Sequence, residues 1–180
     1  ILDDRDFGRV LVKKKTGVWL VNHFEDDRRL WLYNIETGER LYIDVVFPVL
    51  HGTFGEDGTL QGLLELAMVP YVGADVIGSA VGMDKDVAKR LLRDAGIRVV
   101  PWLTIHRAEW ENDAAGLSEK AIAEFALPVF VKPVNAGSSV GVRKVSASVD
   151  LRDAVEKAFA FDTRIMIEKA VDCREIECAV

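Results

Sequence analysis

Lys132 closes an apolar run that begins at Val129, and a small-residue loop with Gly137, Ser138, Ser139 and Gly141 follows shortly after it. Glycine admits backbone conformations that a Cβ forbids and serine adds little bulk, so such a loop can bring bare N–H groups up to an anion. The same residues would also make a strand followed by a plain flexible turn. Side chains alternate along a strand, which puts Val129 and Val131 on one face and Phe130 and Lys132 on the other. Pro133 holds Lys132 extended, so the lysine is aimed from the strand's end beside the loop.

A second cation, Lys85, stands in the first turn of the helical segment Met83 to Ala95, MDKDVAKRLLRDA. A lysine there opposes the helix dipole by about 0.3–1 kcal/mol. An anion lying at that terminus would reverse the sign, and a solvated lysine that tolerates the penalty is the other reading. Two acids come later: Glu168 ends the strand-like run RIMIE, and Glu175 sits in the next apparent strand. At such positions glutamates are usually solvated. His51 opens HGTFGEDG, which holds three glycines, follows an apolar run and precedes a helix. Open α/β sheets bind ligands at such places, although a structural histidine fits the local residues as well.

Together these residues supply two lysines for phosphate oxygens, a cradle of backbone donors, and acids for sugar hydroxyl or base amino groups. That is the inventory for a nucleoside triphosphate. The G-x-x-x-x-G-K-[ST] and G-x-G-x-x-G phosphate loops are both missing from this stretch, where the loop reads G-S-S-V-G. Gly137-x-Ser139-x-Gly141 matches the serine-hydrolase elbow by letter, but a strand returns after it where a helix would be needed.

The elements that must carry these groups are legible from periodicity. Residues 1 to 44 alternate apolar runs (Val10 to Val12, Val18 to Val21, Leu30 to Leu32) with charged clusters and the Glu36–Glu39 turn, which predicts short strands and hairpins. His23 there has no second metal-type residue at ligand spacing and reads as a loop histidine. Val45 to Leu50, VVFPVL, reads as a strand buried on both faces and interrupted near Pro48. Leu60, Leu63, Leu64 and Ala67 predict a helix that buries them and turns Gln61 and Glu65 outward. In the Met83 to Ala95 helix, Asp84 is the expected N-cap, Val87, Ala88, Leu91, Leu92 and Ala95 the apolar stripe, and Gly96 the stop. Val99 to Ile105 reads as strand, Trp110 to Gly116 as polar loop, and Ser118 to Phe125 as a short helix. Val142 to Val145 can return as a hairpin strand; Leu151, Ala154, Val155 and Ala158 repeat the helical stripe. Arg164 to Glu168 is a strand, and Ile176, Cys178 and Val180 share one face of a last strand.

With 180 residues, 49% of them apolar, the chain can bury a core in one good-sized domain or two small ones. A net charge of −6 argues against a broad nucleic-acid surface and leaves room for a small anion held by a few lysines. No apolar run of about 18 residues and no charged-then-apolar leader is present, so neither a membrane span nor a signal peptide is expected. Cys173 and Cys178 lie in one apparent strand and read as reduced thiols of a cytoplasmic protein. Without a methionine at Ile1, and with Val180 inside an apparent strand, the chain is expected to be a fragment.

The strings HGTFGEDGTLQG, MDKDVAKRLLRDAG, PVFVKPVNAGSSVGV and IEKAVDCREIECAV, in that order and spacing, resemble the D-alanine:D-alanine ligases of the ATP-grasp superfamily. The resemblance is specific from His51 to Val180 and weaker from Ile1 to Asp44. It implies an α/β chain: an incomplete N-terminal α/β domain over residues 1–73, a central subdomain of the α+β ATP-grasp domain over 74–167, and the start of its C-terminal subdomain over 168–180. ATP would lie between two antiparallel sheets. By the resemblance, Lys85 and Lys132 contact the phosphates, and the loop from Gly137 to Gly141 closes over them with Ser139 giving a backbone donor. Ser138 belongs to the hydrogen-bonded group around the first D-alanine, and His51 stands close to that substrate. Glu168, Lys169 and Val171 form the adenine connector, and Glu175 holds the ribose. Some relatives carry a bulky aromatic where Ala170 stands. The family's early glutamate, its mobile loop and its acid and asparagine ligands for Mg²⁺ have no counterpart between Ile1 and Val180. The implied reaction joins two D-alanines through an acyl phosphate for peptidoglycan synthesis, in a cytoplasmic enzyme that is typically a homodimer. D-Lactate or D-serine as second substrate, an inactive ATP-binding regulatory module, and another ATP-grasp carboxylate–amine ligase are the alternatives.

Overall fold

The VFVKP and RIMIEK segments become the two central strands of an antiparallel sheet. In the computed structural model, which describes residues 18–21, 30–34 and 37–176, this sheet holds β4 (Trp102–His106), β5 (Val129–Pro133), β6 (Arg143–Val145) and β7 (Arg164–Lys169) in the order β4-β7-β5-β6; for numbering, β1 to β3 precede them in the chain. Val131 stands opposite Ile167, Phe130 opposite Glu168, Lys132 opposite Met166, and Trp102 opposite Glu168 from the other side. Directly opposed residues share a face, so this register sorts the sheet into two unlike surfaces. One carries Val129, Val131, Ile165, Ile167 and Ile105, all fully buried. The other carries Phe130, Lys132, Glu168, Trp102 and Thr104.

Helices α4 (Arg107–Phe125) and α5 (Leu151–Ala158) close the apolar surface. Trp110, Ala121 and Phe125 from α4 and Leu151, Ala154, Val155 and Ala158 from α5 join its core. Burial of each large apolar side chain there is worth about 1.5–3 kcal/mol. The stripe expected at Leu151, Ala154, Val155 and Ala158 is the one observed.

Helix α3 (Lys85–Asp94) serves the other surface and does so with polar residues. Asp84 caps it as expected, accepting from the Val87 N–H at 2.9 Å, and Gly96 ends it at φ 76°. Its apolar stripe is not what it buries: Leu91 and Leu92 stay 51% and 41% exposed, while Asp86 is 6% exposed. The Asp86 carboxylate accepts from Trp102 Nε1 at 2.7 Å, Thr104 Oγ1 at 2.7 Å and Arg90 Nε at 2.9 Å. Those bonds offset the desolvation of a buried charge and lock α3 to β4.

Contacts divide the chain into two units, residues 1–49 with 60–75, and residues 50–59 with 76–180. The first unit contains the antiparallel β1 (Val18–Val21), β2 (Leu30–Asn34) and β3 (Arg40–Ile43), in line with the hairpins expected there, and most of helix α1 (Thr59–Leu66). Its described core is Leu64 and Val69 with Ile43, Val46, Leu60, Ala67 and Tyr71 around them. The Val10–Val12 run, His23 and Glu177 to Val180 lie outside the described residues, and the last strand is not formed up to Ile176.

Three further expectations are corrected. VVFPVL is no buried strand: only Val46 pairs, in an isolated bridge to Tyr71, and Phe47 and Val49 are both 65% exposed. In α1, Leu63 faces outward and Gln61 inward, because the contact surface is centred on Leu64 and Val69. The polar loop expected at Trp110 to Gly116 is part of α4, with only Asp113 departing from helical geometry. Helix α2 (Val76–Met83), an additional helix, was not anticipated. No helix among the described residues is long and apolar enough to cross a membrane.

Candidate active site

Lys132 projects from the polar surface of β5, and Glu168 meets it from β7. Lys132 Nζ donates to Glu168 Oε1 at 2.8 Å, and Lys89 Nζ, from α3, donates to Glu168 Oε2 at 2.5 Å. Burial alone would push the Glu168 carboxyl up, but the hydrogen bonds from Lys132 and Lys89 outweigh it and hold the group below the ordinary glutamate range. The acid is therefore charged at neutral pH.

Lys85, at the first position of α3, sends its ammonium to the carbonyls of Pro133 at 3.1 Å, Val134 at 3.3 Å and Ala136, while its own N–H donates to Val134 O at 3.2 Å. It thereby ties the helix N-terminus to the point where β5 leaves the sheet. Burial, and then the neighbouring charge of Lys132, hold the Lys85 ammonium below the usual lysine range. An anion beside it would relieve that unfavourable pairing of cations.

From Val134 the chain enters the loop. Asp162 fixes its start, accepting from the Asn135 N–H at 2.7 Å, and Arg164 pairs with the capping Asp84. Ser138, Ser139 and Gly141 all take left-handed backbone conformations, at φ 48°, 57° and 71°. The Val140 N–H returns to Gly137 O at 3.0 Å and the Val142 N–H to Ser139 O at 3.2 Å. The N–H groups of Gly137, Ser138 and Ser139 donate to no acceptor among the described residues. The two glycines differ in what demands them. A Cβ on Gly141 would come within 2.7 Å of both Phe161 and Pro133, so the protein itself requires glycine there. A Cβ on Gly137 would meet only Glu56 Oε2 at 3.9 Å, so the protein leaves that space open.

These parts surround a cleft of about 530 Å³. Of the residues singled out in the sequence, Lys85, Lys132, Gly137, Ser138, Ser139, Glu168, Lys169, Val171 and Glu175 all line it. Gly141 does not; it shapes the loop from behind. His51 lines a neighbouring hollow of about 330 Å³ whose walls include Gly52, Asn135 and Phe161. Ala136, Gly137 and Ser138 line both spaces, so the loop is the partition between them. His51 is exposed, with Nδ1 3.9 Å from Glu56 Oε1. Sequence reading missed Lys89 and Cys173; the cysteine lines the cleft, and the lysine meets an acid too distant in sequence for any local pattern to reveal. Among the described residues, no group of three or more His, Cys, Asp or Glu could hold a metal ion.

An antiparallel sheet with helices on its apolar face, and with lysines under a small-residue loop on its polar face, is the architecture of an ATP-grasp protein. Residues 11–74 match the family model described as D-ala D-ala ligase N-terminus, and residues 91–180 match the one described as D-ala D-ala ligase C-terminus. The chain belongs to the D-alanine–D-alanine ligase family. It is 59% identical over 139 residues to D-alanine–D-alanine ligase A of Chromobacterium violaceum, an alignment that covers 77% of this chain and 37% of that protein. The solved D-alanine-D-alanine ligase of Coxiella burnetii superposes with a TM-score of 0.71 at 39% identity, over 80% of this chain and 44% of that one. A D-Ala:D-Ser ligase of Enterococcus faecalis gives 0.69 at 40% identity, over 83% and 45%. The chain thus spans less than half the length of each of these relatives.

Proposed function

We propose that this chain provides the nucleotide-phosphate side of an enzyme that joins two D-alanines at the expense of ATP. The observation that carries the reading is the convergence of Lys85, Lys132 and the open backbone donors of Gly137, Ser138 and Ser139 on one cleft. In this reading Lys132 and the loop donors meet phosphate oxygens, and their positive charge stabilises the charge that accumulates during phosphoryl transfer. Lys85 contributes charge and holds the loop's start, since its donors already serve three carbonyls. Glu168, Lys169 and Val171 form the base-binding edge, and Glu175 takes the ribose. Ser138 and His51 face the first D-alanine from the other side of the partition. The carboxylate of that D-alanine takes the γ-phosphoryl group from ATP, releasing ADP. The amine of the second D-alanine attacks the acyl phosphate, and phosphate leaves with formation of D-alanyl-D-alanine. Water must be kept out while the acyl phosphate exists, which is a task suited to a loop that closes. Mg²⁺ would offset charge on the phosphoryl oxygens; among the described residues no group of three or more His, Cys, Asp or Glu could hold a metal ion.

The proposal includes the division into an N-terminal α/β domain over 1–73, a central ATP-grasp subdomain over 74–167 and the start of a C-terminal one over 168–180. It includes a cytoplasmic site of action. It also includes a homodimer, which light scattering on the full-length protein checks. The deciding experiment measures phosphate release from ATP by the full-length protein with D-alanine, L-alanine, D-lactate and D-serine. Release that depends on D-alanine is expected; its absence overturns the proposal. The 40% identity to a D-Ala:D-Ser ligase supports a second reading, with D-serine as acceptor. Stimulation by D-serine in the presence of D-alanine would select it.

A further inference from the structure

Nothing in the local sequence marks Lys89, which stands one helical turn beyond Lys85 on α3. The structure puts its ammonium on Glu168 Oε2 at 2.5 Å, while Lys132 occupies Oε1 at 2.8 Å. One carboxylate is thus shared by two lysines, one oxygen each. The Lys89 and Glu168 side chains are each 14% exposed, so water is a poor substitute for either partner. The ammonium of Lys89 also lies over the Trp102 ring, 5.0 Å from its centroid, which fixes it against the sheet.

This arrangement settles a conflict in the site. A lysine that must offer its charge to phosphate is here paired with a carboxylate that would cancel that charge. If Lys132 were the only partner of Glu168, the pair would be neutral and Lys85 alone would face the anion. With Lys89 on the second oxygen, three ammoniums stand against one carboxylate and the surplus rises from one positive charge to two. We propose that Lys89 is a positioning residue that holds and neutralises Glu168, leaving the charge of Lys132 for the triphosphate. The proposal rests on the nucleotide reading given above.

The test is steady-state kinetics of the full-length enzyme with D-alanine in excess and ATP varied. Lys89→Met and Lys89→Gln should each raise KM for ATP by about tenfold and change kcat by less than about threefold, the pattern of lost uniform binding. Lys89→Arg keeps the charge and should stay within about threefold of the unaltered KM. If Lys89 acts through Glu168, the double variant Lys89→Met/Glu168→Gln should bind ATP no worse than Glu168→Gln alone. An unchanged KM in the neutral variants overturns the proposal. So does full additivity in the double variant, or failure of both neutral variants to fold, since each makes Lys89 merely structural. An unaltered enzyme without D-alanine-dependent phosphate release would instead refute the proposed function itself, whereas an active enzyme with unresponsive Lys89 variants refutes this inference alone.

Discussion

Glu168 bridges two ammonium groups while being largely buried, and that geometry fixes how it responds to pH. Its carboxyl titrates below the ordinary value of 4.5 because the donors on it outweigh burial. A depressed folded-state pKa means that the unfolded chain takes up its proton first. The stabilisation is therefore complete above about 4.5 and is lost as pH falls through the lower folded-state value. Glu168→Gln should flatten the fall in unfolding free energy below that pH, measured by urea titration between neutral and strongly acid conditions. An unchanged slope would mean that the two lysines do not hold the carboxylate in solution. Lys132→Met is the complementary change at the cleft. Glu168 keeps Lys89, so the fold should persist with unaltered circular dichroism, while turnover should drop by at least about 10². Near-normal turnover would remove Lys132 from the phosphate site. The aim of Lys132 was readable because strand alternation and the following proline are local facts. The oddity of Lys85 was readable too, since a cation in a first helical turn conflicts with the dipole. Lys89 showed no such conflict, and its partner comes from a different strand.

The element that most depends on single positions is the loop between β5 and β6. Gly141 sits at φ 71° with Phe161 and Pro133 behind it, so Gly141→Ala combines an unfavourable backbone conformation with a contact of 2.7 Å. The strain is of order 1–3 kcal/mol, and it presses on Pro133, whose ring is fully buried at the end of β5. We expect a higher KM for ATP and a melting temperature lower by at least about 2 °C, with partial recovery when Phe161→Ala removes one of the two contacts. Equal ATP kinetics in Gly141→Ala would show that the loop does not shape the nucleotide site. Helix α3 depends on Asp86 in a different way. Asp86→Ala strands the Trp102 and Thr104 donors under the helix, at a cost of about 2–4 kcal/mol. A shift in the urea midpoint measures it, and a loss under about 0.5 kcal/mol would show that α3 is held by other contacts. The orientation of this helix was misread from its sequence for a physical reason. Periodicity finds the apolar stripe and assumes that it turns inward, but a helix over a binding surface turns its polar side there. The same assumption placed Leu63 inside α1 and VVFPVL inside a sheet. In α4, the polar residues of Trp110 to Gly116 hid a helix that buries Trp110, Ala121 and Phe125 and packs Ala114, Leu117 and Ile122 against the same core.

At the scale of the whole chain, the two units differ in how many of their described residues are buried in a core cluster. Among the described residues the second unit buries fourteen in one cluster around β5 and β7, against Leu64 and Val69 in the first. Sheet strands at the centre of the larger cluster should open only by unfolding of that unit, whereas α1, with Leu63 46% and Leu66 81% exposed, should open locally. Hydrogen exchange on residues 1–180 expressed alone should therefore show amides of β5 and β7 protected at least about 10²-fold more than those of α1. The sheet's order explains why this part of the architecture was readable, whereas in the first unit the hairpin strands were readable and the packing around Val46 was not. Val129 and Val131 alternate with Phe130 and Lys132, which predicts the two faces of β5 directly, whereas Ile165, Met166 and Ile167 are all buried in β7. In the first unit, the side chains near the Val46–Tyr71 bridge meet across 25 residues of chain and carry no period. Comparable protection in α1 and β5 would show that the two units open together, and that the core seen in the second is not the sole determinant of its stability.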